Sequence, residues 1–187
     1  MRLLRPTATL ALLALACGCT PSPQAPGTTM PSEGPLAVDD NPPNAEGKPL
    51  LDDLVRTARN ADRIVVIEHS SEYDTAEGIH SATPPQERTY RQVVLAGQAR
   101  QSLIATLEGV DPYVSMWATA CIFEPHHRFE FYTGKQRTHT LEVCFQCNEL
   151  QWDGAKNPVP QALYQDLRPF ITSLGMQPER DWKSLAR

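Results

Sequence analysis

The sequence predicts an α+β fold, an antiparallel β-sheet of about five strands packed with three helices. Three observations carry that expectation. Apolar residues recur at helical spacing in three separate stretches, and short β-branched or aromatic runs lie between them. The resulting order is helix, two strands with a loop, helix, a meander, helix, which suits a sheet covered by helices.

The first helix is expected over Leu50 to Asn60, where Leu51, Leu54, Val55 and Ala58 fall on one face. Arg63-Ile64-Val65-Val66-Ile67-Glu68 follows as a short β-branched strand buried on both faces. Ser70 to Glu87 has no periodicity and contains Pro84-Pro85, so it reads as a long loop. Arg88 to Leu95 is a second strand, and Gly97 to Glu108 a second helix carrying Ala99, Leu103, Ile104 and Leu107. Three or four antiparallel strands are expected between Val114 and Trp152. Leu163, Leu167, Phe170, Ile171 and Leu174 mark the last helix, with Pro160 near its start and Gly175 at its C-cap. Pro169 lies inside that helix and should kink or split it.

The chain of 187 residues divides into three parts: residues 1–17, residues 18–49 and one domain over residues 50–187. Arg2 and Arg5 precede a short apolar run, Thr7 to Ala16, which is too short for a membrane span and reads as a signal peptide. Leu13-Ala14-Leu15-Ala16-Cys17-Gly18-Cys19 resembles the signal of bacterial lipoproteins, in which a peptidase cuts just before the cysteine that carries the lipid. Cys17 and Cys19 each follow a small residue, and neither has the leucine three positions upstream that the family usually shows. Gly18 or Thr20, rather than aspartate, comes next. The resemblance therefore implies a lipid (palmitate) anchor in the periplasmic face of the outer membrane. Pro21, Pro23, Pro26, Pro31, Pro35, Pro42, Pro43 and Pro49 then punctuate a polar stretch with almost nothing to bury, which reads as a flexible tether reaching at most about 90 Å.

Chemistry concentrates between Trp117 and Trp152. This stretch holds Cys121, Cys144 and Cys147, together with the adjacent His126 and His127. Phe129 and Phe131 share one strand face, and Leu141, Val143 and Phe145 share another. Burying both sets together sets Phe129 opposite Leu141 and Arg128 opposite Glu142, with an odd number of residues in the connecting loop. Cys144 and His126 then lie on the Arg128 side, where Cys121 and Cys147 can join them. Three thiolates and one imidazole suit tetrahedral Zn²⁺. An odd number of cysteines in a disulfide-permitting compartment equally suits one disulfide and a spare thiol, and Cys121–Cys144, Cys121–Cys147 and Cys144–Cys147 are all open, as are three buried thiols. The series Cys121…Pro125-His126-His127…Cys144-Phe145-Gln146-Cys147 resembles a Cys…Pro-x-His…Cys-Phe-x-Cys pattern of small uncharacterised bacterial proteins. That resemblance selects His127, whereas the strand register selects His126.

Other chemistry is thin. A thioredoxin-like site should place Cys-x-x-Cys at the start of a helix, and Asn148 to Gly154 reads as strand and turn. Glu68, His69, Glu72, Asp74 and His80 read as solvated loop residues rather than a site. No phosphate loop, dinucleotide fingerprint, serine elbow or zinc-protease helix is present. Without Arg2 and Arg5, 15 basic residues face 22 acidic ones, a net of about −7 that argues against nucleic acid as a partner. The expected role is a non-enzymatic binding or accessory module for an envelope protein or a small ligand. A small metal- or thiol-dependent enzyme, or an inhibitor or immunity-type module using the Ser70–Glu87 loop, are the alternatives.

Overall fold

The computed structural model describes residues 45–75, 85–114 and 120–186. Helix α1 spans Lys48–Asn60, strand β1 Arg63–His69, β2 Thr89–Leu95, helix α2 Gly97–Gly109, β3 His127–Thr133, β4 Gln136–Cys144, β5 Glu149–Trp152, helix α3 Gln161–Ser173, and the short helix α4 Trp182–Leu185. The strands form one antiparallel sheet in the order β2-β1-β3-β4-β5. Together the described residues belong to one compact unit, residues 41–187. Among them no helix is long and apolar enough to cross a membrane.

Strand alternation decides which side is the core. Ile64, Val66, Phe129, Phe131, Leu141, Val143, Leu150 and Trp152 share the face that meets Leu50, Leu54, Leu103, Leu107, Leu163, Leu167 and Ile171 of the helices. On the opposite face Val65 and Ile67 are also buried, as expected for β1, and their cross-strand neighbours are Glu130 and Arg128. The expected register holds: Phe129 faces Leu141 and Arg128 faces Glu142. The odd loop does not. Gly134 and Lys135 alone make the turn, with Gly134 at φ +58°, and a bulge between Phe131 and Tyr132 supplies the odd residue.

Helix α3 runs through Pro169 as one continuous helix, so the chain does not split there. Proline removes the hydrogen bond to the carbonyl of Gln165, and both residues lie on the exposed face, where water can replace it. Leu163, Tyr164, Leu167, Phe170 and Ile171 on the buried face hold the helix together. Its end is a Schellman cap, with Gly175 N–H donating to Thr172 O and Met176 N–H to Ile171 O. Gly175 has φ +73°, and a Cβ there would press on the Arg91 guanidinium.

Asp53 of α1 is buried against the far edge of the sheet, where it accepts from Trp152 Nε1 at 2.9 Å and from the Ala155 N–H at 2.8 Å, and pairs with Arg56. A Cβ at Gly154 would collide with Trp152 Nε1 and Asp53 Oδ2, so glycine is required for this closure. Burial works to raise the Asp53 pKa, but the Ala155 and Trp152 hydrogen bonds and the Arg56 charge outweigh it and hold the carboxyl below its usual range. Asp53 therefore adds stability above its unfolded-state pKa, lost as pH falls through the lower folded value. Asp53→Ala strands the buried Trp152 N–H, at a cost of about 1–3 kcal/mol, and removes the acceptor of the part-buried Ala155 N–H. The urea midpoint should drop sharply in Asp53→Ala and less in Asp53→Asn; equal midpoints for wild type and Asp53→Ala would contradict this role.

Candidate functional site

Cys121 and Cys147 are joined as a disulfide across 26 residues, with their Cα atoms 5.7 Å apart. The bond ties the segment entering β3 to the turn between β4 and β5. Closing a loop of that length stabilises by about 2–4 kcal/mol. Cys144, the last residue of β4, is a buried free thiol. It points to the face opposite Val143, hence away from the helices. Of the cysteine arrangements left open by the sequence, the structure holds the Cys121–Cys147 disulfide with Cys144 as the spare thiol. Among the described residues no group of three or more His, Cys, Asp or Glu side chains is placed to hold a metal ion. Cys17 and Cys19 lie outside the described residues.

Both histidines pack against Trp182, one stacked and one edge-on. His126 donates from Nε2 to Asp74 Oδ1 at 2.9 Å and stacks on Trp182, with ring centroids 4.2 Å apart and planes within 7°. His127 stands opposite Val143 on the helix-covered face, edge-on to Phe145 at 5.0 Å and to Trp182 at 5.8 Å. Its Nε2 is 3.9 Å from Glu68 Oε1, and no hydrogen bond of normal geometry reaches either ring nitrogen. Burial, followed by the neighbouring His126, His69 and Arg180, lowers the His127 pKa to about 3, offset in small part by the Gln177 backbone. Glu68, buried beside it, accepts from Arg180 at 2.6 Å and from the Gln177 N–H at 3.0 Å. This cluster anchors the C-terminal segment: Arg180 and Trp182 are its two plugs, and Arg180 also lies over the Trp182 ring.

Glu68, His69 and Asp74 were expected in solvent and are instead buried. For Glu68 and Asp74 local sequence hides the reason, since their partners Arg180 and His126 lie far along the chain. Asp74 closes a capping box on the 3-10 turn Glu72–Asp74, its Oδ2 accepting from the Ser71 N–H. Glu72 is exposed as expected, and His80 lies outside the described residues.

The helix-free face of the sheet carries an open cleft of about 540 Å³, and a second cavity of about 680 Å³ lies between α1 and the end of α2, lined by Leu51, Val55, Arg59, Leu107 and Val110 among others. The floor of the cleft is His69, Glu142 and Gln151; one wall is Ser70–Tyr73 with Pro85 and Glu87, and the other is Ile122, Phe123 and Pro125. That second wall is the segment the disulfide holds. Glu87 receives two hydrogen bonds from Arg128, at 2.8 and 2.9 Å, which hold its carboxyl below the usual range despite partial burial. Arg128 also bonds Glu130, which in turn takes Arg137 and the Tyr132 hydroxyl. Burial lowers the His69 pKa, opposed by its hydrogen bond to Ser70 O and by Glu87. The tip of the cleft wall pairs Tyr73 with Glu72, which raises the tyrosine pKa. Sequence drew attention to the Ser70–Glu87 loop, because a long loop inside a small domain is a common site of function, and to His69 and Glu72, which it read as solvated rather than as a site.

The chain matches no known family model, no curated protein and no solved structure.

Denatured without reductant, the protein should take up alkylating reagent at Cys144 and not at Cys121 or Cys147, and reduction should expose all three to peptide mapping. Alkylation of Cys121 in unreduced protein would contradict the pairing. His127 is neutral in the folded state, so its contribution is complete above about pH 6.5 and is lost as pH falls toward its folded value. An NMR titration should find the His127 ring still neutral at pH 4.5, and protonation near pH 6 would contradict its burial.

Proposed function

We propose that this chain is a lipid-anchored protein of the periplasmic face of the outer membrane, and that its folded domain is a non-enzymatic binding or accessory module. The observation that carries this reading is the Cys121–Cys147 disulfide, because structural disulfides persist in oxidising compartments outside the cytosol. It is also the device that holds Ile122–Pro125 as a wall of the cleft. The lipoprotein-like run before Cys17 and Cys19 supplies the address, and the polar, proline-rich stretch that precedes α1 at Lys48 supplies the tether. The ligand is a small molecule or a protruding group of another envelope protein.

Binding is favoured over catalysis by how the polar groups are committed. His126 and Asp74 form an imidazole–carboxylate pair, but both are buried under Trp182, and among the described residues no serine or cysteine hydroxyl or thiol is hydrogen-bonded to that histidine. A general base needs a proton within reach to abstract. Cys144 is buried as well. In the cleft, Glu87 is taken up by Arg128, and its role is to shape the wall.

Replacing both Cys17 and Cys19 by serine should move the protein from the membrane fraction to the soluble periplasmic fraction, while the wild type carries lipid at one of the two on mass spectrometry. A mature wild-type N-terminus without lipid would overturn the anchoring.

A further inference from the structure

We propose that the C-terminal segment Gln177–Ala186 is an acid-released strap: a proton on His127 draws the Glu68 carboxylate away from the segment and lets it leave the sheet. Three groups converge on one carboxylate oxygen. Glu68 Oε1 accepts from the Gln177 N–H at 3.0 Å and from Arg180 at 2.6 Å, and both donors belong to the strap. The third group is His127, whose Nε2 stands 3.9 Å from the same oxygen. Its ring is buried and neither nitrogen has a hydrogen-bond partner, so the neutral imidazole leaves Glu68 to the strap. Once protonated, both ring nitrogens are donors, and a buried cation must find a counter-charge. The carboxylate it faces is Glu68, and it reaches Oε1 only by displacing the strap's donors.

The other groups around the ring offer no alternative. His126 is held by Asp74 at 2.9 Å, and both belong to the body of the domain, so that bond is the same with the strap seated or gone. His126, His69 at the end of β1 and Arg180 all oppose a charge on His127. Tyr90 of β2 stacks on Trp182, and its hydroxyl is buried without a partner. Burial and these neighbours set the seated ring at about 3, whereas an imidazole released to water titrates near 6.5. The seated strap is therefore fully favoured above about pH 6.5 and loses ground as pH falls from there toward 3. It can leave without the core. The strap is a chain end with a four-residue helix, and its buried Trp182 and Ala186 stand outside the hydrophobic core cluster. The Arg180 side chain is 24 % exposed and reaches water as it lets go. Such ends open at lower free energy than core elements. Ala186 also walls a cavity of about 490 Å³ whose Ser70, Ser71, Pro85 and Glu87 line the cleft as well, so a released strap opens that side of the cleft.

The test is hydrogen–deuterium exchange on the full-length, disulfide-bonded protein in detergent micelles at pH 7 and pH 5, with rates corrected for the intrinsic pH dependence of amide exchange. A ring that binds its proton at about 3 when seated and 6.5 when free sets the expected change: protection across Gln177–Ala186 falls about 25-fold, while α3 and the strands keep theirs. The seated form stays in the majority, in keeping with a His127 ring that is neutral at pH 4.5. His127→Phe, which keeps an aromatic ring against Phe145 and Trp182, should abolish the fall. Where that variant does not fold, Arg180→Gln at its partly exposed position decides. Its strap should already be loose at pH 7 and change little on acidification, because two cations no longer contend for Glu68. A wild-type strap as well protected at pH 5 as at pH 7, or an equal loss in α3 and the strands, overturns the proposal. So does an undiminished fall in folded His127→Phe or in Arg180→Gln.

Discussion

Buried carboxylates dictate how this domain closes. An ionised acid inside a protein must be paired and hydrogen-bonded, or it destabilises the fold by several kcal/mol. Three acids from the first half of the chain are buried here, and each is satisfied by a residue far along it. Glu68 takes Arg180, 112 residues away. Asp74 takes His126, 52 residues away, and Asp53 takes Trp152, 99 residues away. Each carboxylate thereby fixes a segment that packing alone would leave free to shift: the C-terminal segment, the entry to β3 and the end of β5. The apolar core supplies the attraction, and these pairs supply the geometry.

That division explains why the Cys/His stretch, which looks like one centre in sequence, does two things in space. A β-strand sends neighbouring side chains to opposite faces, so crowding along the chain is undone as soon as it becomes extended. His126 and His127 turn to the carboxylates and Trp182 and secure the C-terminal segment. Cys121 and Cys147 lie outside the strands, where chain direction is free, and they find one another. Cys144, inside its strand, is left unpaired. The disulfide and the histidines thus brace opposite sides of the same strand entry. Between the disulfide-held segment and the Ser71-capped turn lies the cleft.

What the sequence made legible was periodic. Helix and strand positions followed from apolar spacing, and the pairing of Phe129 with Leu141 followed because a one-residue slip would have exposed Phe129 and Phe131. What stayed hidden was non-local or compensated. The bulge at Phe131 replaced an odd loop because both satisfy the same parity. Pro169 was absorbed because its lost hydrogen bond faces water. Asp53, Arg180 and Trp182 carry no local signature, since an acid, a base or an indole is recognised as a plug only with its partner beside it. Candidate cysteine pairings were enumerable from sequence, but selecting Cys121–Cys147 needed the positions of both loops.

The central claim is that the two braces are separate: the disulfide holds the cleft wall, and the buried Glu68, Asp74 and histidine cluster holds the C-terminal segment. Hydrogen–deuterium exchange before and after reduction tests it most directly. Reduction should speed exchange in Cys121–Glu124 and in the turn Phe145–Asn148, while Gln177–Ala186 keeps its protection. Simultaneous loss of protection in both regions, or no change in either, would contradict the account.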